Sequence, residues 1–522
     1  MNTFKRKSLY VAVLAGLGAM GAAGTASAVH VNPDGLGQVL IYPYYSVRTA
    51  ETIIASGSYN TYVSVTNTTN SAKAVKVRFL EGKGSKEVLD FNLFLSANDV
   101  WTGSIEPTAT GAILLSSDKS CTTGVIPDAG QPFSNGAYTA ANADGEDATL
   151  DRTREGYVEI IEMGVINDGG AGSDSRALLD AITHATTGAD AGLPPCNSNT
   201  AATRTAAQVV LNTADTAGLP VAAGLVGYLS VPTGGLLGGA SLVNPSTGVD
   251  YTYDAIAMNN WTGVTQGTRS TSLSPFLGSG SVTSSEVFNA GSIMTAVWPA
   301  GAPAATATAN ANAVSAALMH DNVINEYVLD SGTASGTDWV VTFPTKRLYV
   351  QTDPVVAGVR TRTATAGFPF NENFGLGGSC DTVTLTQYDR EEQTSVATGG
   401  FSPSTTLTNN LCWEANVITF NNSSILGSTN SYNTNVTYQN GWMDLNLNHG
   451  PYPSGSNTLM TPTSSATDGT ADAVVSLYRG LPVAGFMVQD FVNSTLVTGA
   501  GATPGAAFGG NFIHKYTRWI GL

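Results

Sequence analysis

Between residues 38 and 95 apolar and polar side chains follow one another with the period of two expected of a strand with one face buried. The run Gln38-Val39-Leu40-Ile41-Tyr42-Pro43-Tyr44-Tyr45 is rich in β-formers, and Pro43, which has no N–H to donate, predicts an edge or a bulge there. Tyr62-Val63-Ser64-Val65-Thr66 ends at a polar turn, Asn67-Thr68-Thr69-Asn70. In the next run Val75, Val77 and Phe79 share one face, with Lys76 and Arg78 on the other, which predicts a half-buried strand. Gly82-Lys83-Gly84-Ser85 then turns the chain into a run whose Leu89, Phe91, Leu93 and Leu95 share a face. Short strands joined by polar turns predict an antiparallel sandwich.

From about 113 to 310 the pattern loosens. A strand is predicted over 155–163, a short helix over 176–186 begun by Ser173 or Asp174, and a hairpin over 240–253 turning at Asn244-Pro245-Ser246-Thr247-Gly248. The stretches 126–148 and 196–216, and the Ala/Thr/Asn tract 300–312, predict insertions or long surface loops. Val314, Ala317, Leu318, Ile324 and Val328 predict a helix over 311–328, stopped by Gly332. Further strands are expected at 338–344, 417–420, 442–447, 474–477 and 485–491, with a last one over 512–519. No fixed-period repeat is present, against a solenoid or propeller. The expected fold is mainly β, an immunoglobulin-like or jelly-roll-like antiparallel β-sandwich with long loop insertions and one or two short helices. Its expected parts are 29–112, 113–330 and 331–522, the last packing with the first.

The N-terminus changes the picture of where this fold works. Lys5, Arg6 and Lys7 precede an apolar stretch from Leu9 to about Ala23, and Ala26-Ser27-Ala28 follows. A basic region, a short apolar region and a small-x-small site predict a secretory signal peptide over 1–28, cleaved after Ala28. Gly16, Gly18, Gly21 and Gly24 interrupt the apolar stretch, which argues against a membrane anchor, and no later run reaches the ~18 apolar residues of a spanning helix. The expected location is secreted, cell-surface or periplasmic.

Composition fits that reading. Charged residues are 12% of the chain, about half of the usual ~25%, and 58 residues are glycine. Such a chain suits turns and polar sheet faces better than exposed helices. The net charge is 23 − 39 = −16, with no basic stripe to neutralise phosphates, so nucleic acid is excluded as a partner. The four cysteines, Cys121, Cys196, Cys380 and Cys412, predict two disulfides in an oxidising compartment. Three pairings are open; Cys121–Cys196 and Cys380–Cys412 are favoured because each pair falls within one expected part.

Four blocks carry a resemblance: Gly35-Leu36-Gly37-Gln38-Val39-Leu40-Ile41-Tyr42-Pro43-Tyr44-Tyr45, the stretch from Val75 to Trp101, that from Trp339 to Tyr349, and His514-Lys515-Tyr516-Thr517-Arg518. Together they resemble a family of uncharacterised exported proteobacterial proteins. The resemblance implies export and carries over neither an activity nor a functional residue.

Motifs for chemistry are largely missing. There is no Gly-x-Ser-x-Gly elbow, no HExxH, no Walker loop and no dinucleotide fingerprint, and the histidines, His30, His184, His320, His449 and His514, are dispersed. Two carboxylates about 5–10 Å apart suffice for glycoside hydrolysis, and the candidates are Glu159 with Glu162, or Asp444 beside Trp442. Asp144, Glu146, Asp147 and Asp151, around Gly145 and followed by Glu155, gather oxygens of the kind calcium takes, as do Asn167-Asp168-Gly169-Gly170 and Asp174. No catalytic or cofactor-binding residue is assigned, and calcium is the one cofactor considered. The expected function is a non-catalytic structural or interaction protein of the cell surface or extracellular matrix, whose partners are other surface proteins, further copies of itself or glycans. Strand addition at an exposed Ile41-Tyr42-Pro43-Tyr44-Tyr45 edge would join copies. The rival is a glycan-type binding module stacking sugars on Trp101, Trp261, Trp413 or Trp442. A carboxylate-based hydrolase and an outer-membrane β-barrel complete the set.

Overall fold

The computed structural model describes residues 28–51, 56–123, 126–216, 226–298, 309–350, 355–356, 359–360, 369–370, 374–375, 377–392, 407–448, 457–460, 477–493 and 506–521. Residues 1–27, all but the last of the expected signal peptide, lie outside them, as do His449 and residues 474–476.

Four larger sheets carry the fold. Sheet I runs in the order His30–Val31, Ile256–Asn259, Val39–Ser46, Glu155–Ile166, Lys73–Glu81, Glu87–Leu95 and Cys121–Thr122, with Leu229–Ser230 pairing the end of Glu155–Ile166. Sheet II runs Gln131–Pro132, Ala112–Leu115, Val100–Pro107, Asn60–Asn67, Leu236–Asn244 and Val249–Asp254, and its last two strands are the expected hairpin. Sheet III is Leu407–Leu411, Asp381–Asp389, Asn440–Asn446, Asn322–Val328 and Lys515–Thr517. Sheet IV is Ser431–Thr434, Ala415–Phe420, Gly336–Thr342, Ala484–Asn493 and Ala506–Ile513. All the pairings in these sheets are antiparallel except Ala415–Phe420 with Ser431–Thr434. No sheet closes into a barrel among the described residues.

Sheets I and II face each other across Leu40, Val75, Val77, Phe79, Leu93 and Val158 on one side and Val63, Val65, Trp101, Ile105 and Leu242 on the other. Sheets III and IV enclose a second core with Val323, Tyr327, Val383, Leu385, Met443 and Leu445 against Trp339, Val341, Ile418, Phe420 and Met487. The two sandwiches are fused. Val340, Val417, Phe486 and Val488, on the opposite face of sheet IV, enter the first core, while Val39 and Ile41 of sheet I enter the second. The strands Gly336–Thr342 and Ala415–Phe420 of sheet IV are therefore buried on both faces, which is why Trp339-Val340-Val341 and Val417-Ile418 are continuous apolar runs. Strands from the C-terminal third thus share cores with strands from the first.

Among the described residues three α-helices lie outside the sheets. α1 (Asp174–Ile182) starts at Ser173, whose side chain accepts from the Arg176 N–H. α2 (Ala201–Thr216) replaces the loop expected over 196–216; it buries Ala207, Leu211 and Ala214, a spacing of four and three that puts them on one helical face. α3 is Ala309–Leu318, shorter than the helix expected over 311–328. Beyond it Ile324 and Val328 belong to the strand Asn322–Val328. Their spacing of four is a multiple of two and close to a helical turn, so periodicity alone could not separate the alternatives. The final strand expected over 512–519 is likewise broken, with His514 between Ala506–Ile513 and Lys515–Thr517.

Two disulfides join Cys121 to Cys196 and Cys380 to Cys412, the favoured pairing. The first ties the edge of sheet I to the small core under α1 and α2, formed by Phe94, Met163, Leu178, Ile182 and Leu211. The second flanks the pairing of Asp381 with Leu411 in sheet III.

The run Val39–Ser46 is not an exposed edge. All eight residues are buried, between Glu155–Ile166 on one side and Ile256–Asn259 on the other. Pro43 is nevertheless accommodated as a bulge: Pro43 and Tyr44 stand opposite Tyr157 alone, between the pairs Tyr42–Val158 and Tyr45–Gly156. The strand Lys73–Glu81 differs from expectation in a similar way. Its alternation is as read, yet Lys76 and Arg78 are fully buried. Arg78 is held by Glu159 at 2.5 Å and Glu87 at 2.8 Å, while Lys76 pairs with Asp90 and donates to the Ser270 carbonyl at 2.7 Å. A buried charge needs such partners, so a polar outer face can be buried as long as every ion is paired.

Candidate functional site

Sheet III buries one face and leaves the other open. Along Asp381–Asp389 the residues Val383, Leu385 and Gln387 point inward, and Thr384, Thr386 and Tyr388 outward. Along Asn440–Asn446 Met443 and Leu445 are buried while Trp442, Asp444 and Asn446 face out. Register lines these outward residues up in rows. Tyr388, Trp442 and Glu326 form the first row, and Thr386, Asp444, Ile324 and Lys515 the second. Thr384, Asn446, Asn322 and Thr517 form the third. Rows are two residues apart along the strand, about 7 Å.

The first row holds an aromatic pair. The rings of Tyr388 and Trp442 stack 4.1 Å apart at 11°, and Trp442 keeps 37% of its surface in solvent. Gly441 permits the arrangement: a Cβ there would lie 1.8 Å from the Tyr388 carbonyl oxygen and 2.7 Å from the Tyr327 hydroxyl. Tyr327, from beneath, donates to that carbonyl at 3.0 Å. In the second row Asp444 accepts from Asn322 Nδ2 at 2.6 Å, and partial burial raises its carboxyl above the usual range. Thr517 donates to Asn322 Oδ1 at 3.2 Å. An exposed aromatic pair bordered by hydroxyls, amides and carboxylates can stack an apolar ring face and hydrogen-bond a polar rim.

The other residues singled out from the sequence are placed otherwise. Trp101 and Trp261 are core residues, Trp261 donating to the Leu277 carbonyl, so neither is a stacking platform. Trp413 is half-buried beneath the Lys83 ammonium, 4.7 Å from its ring centre. Glu159 and Glu162 are three apart on one strand and so point to opposite faces. Each is buried, Glu159 on Arg78 and Glu162 on Lys73 at 2.6 Å, and they do not flank a common space.

The acidic loop is tied to basic side chains. Arg152 binds Asp144 at 2.9 and 2.6 Å and Glu81 at 2.7 Å; Lys83 binds Glu146 at 3.3 Å. Asp151 pairs with Arg48 at 2.6 Å and Arg154 at 2.9 Å, and Asp147 accepts from Thr149. Asp168 pairs with Arg176. Among the described residues no three His, Cys, Asp or Glu side chains are placed to share a metal ion.

One arrangement has no sequence signal at all. At the end of sheet I a cleft of about 560 Å³ is lined by Asn70, Ser96, Asn167, Asp168, Leu179 and His184. His184 Nδ1 lies 3.2 Å from Ser96 Oγ and 3.8 Å from Asp99 Oδ2. Serine and aspartate crowd the same ring nitrogen, whereas a nucleophile relay needs them on opposite ones. The residues come from positions 96, 99 and 184, and only folding brings them together. Of the other histidines, His320 is half-buried and His514 buried, and burial lowers His514 to about 4.

No family model, no curated protein and no solved structure matches this chain.

Proposed function

We propose that this is an exported, non-catalytic interaction protein that recognises glycans on the open face of sheet III. The observation that carries the reading is the stacked, exposed Tyr388–Trp442 pair at the head of a grid of Thr, Asn, Asp and Glu side chains. Sugars offer just this combination, a C–H face for an aromatic ring and a rim of hydroxyls for amides and carboxylates. Two disulfides suit a compartment outside the cytoplasm. No helix among the described residues is long and apolar enough to cross a membrane. The N-terminal basic and apolar segments of the sequence supply the export route. Affinity electrophoresis through gels containing neutral polysaccharides tests the reading: retardation of the wild type, lost in Trp442→Ala with the fold intact, is the expected result. Equal mobility of the two proteins in every gel would dismiss it.

A second reading, assembly with further copies, draws on a different surface. The last strand of sheet IV, Ala506–Ile513, has one paired neighbour among the described residues and exposes Phe508, Phe512 and Ile513 without a charged residue in the strand. Sedimentation velocity of the wild type and Phe512→Asp would separate a self-associating protein from a monomer.

A further inference from the structure

We infer that the sheet III face selects uncharged glycans, and that Glu326 and Asp444 are the residues that set this specificity by repelling chains bearing carboxylate, sulfate or phosphate groups. The inference rests on the glycan reading and adds to it the chemical class of the ligand.

The placement of charge across the grid carries it. Glu326 is directly cross-strand from Trp442, is exposed, and forms no ion pair among the described residues. A sugar stacked on the outer aromatic ring therefore lies beside an unneutralised carboxylate. Asp444, one row down, is cross-strand from Ile324 and has Asn322 as its hydrogen-bond donor, and it forms no ion pair among the described residues. Lys515, the basic residue of the grid, stands at the far end of that row, two strand spacings or about 10 Å from Asp444. The turn beyond Tyr388 adds Arg390 but also Glu391 and Glu392, so it does not reverse the sign. The chain as a whole carries −16, which extends the same repulsion to longer range.

The same two carboxylates suit a neutral sugar. An ionised carboxylate only accepts hydrogen bonds, and hydroxyl groups are donors to it. Asp444 and Asn322 set an acceptor beside an amide, a pair that two adjacent hydroxyls can bridge by donating to one and accepting from the other. An anionic group at either place would bring like charges within a few ångströms, which weakens binding on the order of tenfold even at the surface.

The test uses the full mature chain with a soluble neutral glucan, a neutral mannan and polygalacturonate as probes. Wild type is expected to bind a neutral polymer and to bind polygalacturonate about tenfold or more weakly at low salt, the gap narrowing as salt screens it. Glu326→Gln and the double variant Glu326→Gln/Asp444→Asn should raise polygalacturonate binding several-fold, with unchanged thermal unfolding, and Trp442→Ala should lose all polymers. Loss of binding in Trp442→Ala with an unchanged neutral-to-anionic ratio in the double variant would overturn the charge inference and leave the platform standing. Tighter binding of polygalacturonate than of the neutral polymers by the wild type would also overturn it. Trp442→Ala binding like the wild type would remove both readings together.

Discussion

Arg78 Nη1 lies 2.5 Å from Glu159 Oε2, and neither side chain has any solvent exposure. The pair sits on the face of sheet I that alternation alone assigns to water. Its ions are kept there by Glu87, which binds Arg78 Nε at 2.8 Å, and by the neighbouring Lys76–Asp90 pair. Removing one partner leaves a buried, uncompensated charge. Arg78→Ala should therefore cost about 3–5 kcal/mol. Arg78→Met with Glu159→Leu should cost much less than the sum of the single changes. Urea unfolding of the four proteins checks this, and additive losses would mean the two side chains act independently.

Stability should also depend on Asp338. Burial among apolar groups at the face where sheet IV meets the first sandwich pushes its carboxyl up to about 7, despite an N–H bond from Leu426 and with Asp490 nearby adding repulsion. Folded protein then holds a proton that unfolded protein gives up above about pH 4. The favourable contribution is complete below about pH 4 and is lost as pH rises through 7. Three pH units correspond to something of the order of 4 kcal/mol. Asp338→Asn should flatten the fall in stability between pH 4 and 7 and be the more stable protein at pH 8. His514, lowered by burial to about 4, works in the opposite sense, destabilising as pH falls from 6.5 to 4, and is unchanged by the substitution. Denaturant midpoints at pH 5 and 8 for both proteins decide it.

The two disulfides close loops of 75 and 32 residues. On chain entropy each contributes about 4 kcal/mol. Replacing Cys121 and Cys196 by serine should loosen α1 and α2, seen as faster amide exchange confined to 174–216. Exchange spread evenly over the chain would contradict that assignment.

Trp442 and Trp101 should behave oppositely on truncation. Trp442→Ala removes an exposed ring and one stack, worth about 1 kcal/mol. Trp101→Ala empties a site in the first core and should cost about 3–5 kcal/mol. Gly441→Ala is expected to disturb the platform without touching an aromatic ring, because the new methyl group meets the Tyr388 carbonyl. Tryptophan fluorescence and thermal unfolding of the three variants read these differences.

Calcium at millimolar concentration should leave the melting temperature unchanged, since Arg152 and Lys83 already hold Asp144 and Glu146. A rise that follows calcium concentration would show that the ion displaces them.

What the sequence determined by itself is local. Period-two runs such as 73–81 and 87–95 specify strands, Ser173 or Asp174 marks a helix start, Asn244 to Gly248 a hairpin turn, and four cysteines a count of two disulfides, because each depends on neighbours a few residues away or on composition. The tertiary structure alone decided which faces are wet. Lys76 and Arg78 alternate as a solvated face would, and are buried; Trp442 and Trp101 are the same residue type on similar strands, and one is exposed. Ile324 and Val328 fit a helix and a strand equally until pairing with Asn440–Asn446 settles the matter. Alternation records two faces but not what covers each, and the covering segments lie far away in the chain: Ser270 is 194 residues from Lys76, and Thr342, which donates to the Pro43 carbonyl, is 299 from Pro43. The platform is legible only in part for the same reason: Trp442 and Asp444 are two residues apart on one strand, whereas Tyr388, Glu326 and Asn322 reach them through register between strands that chain order leaves open.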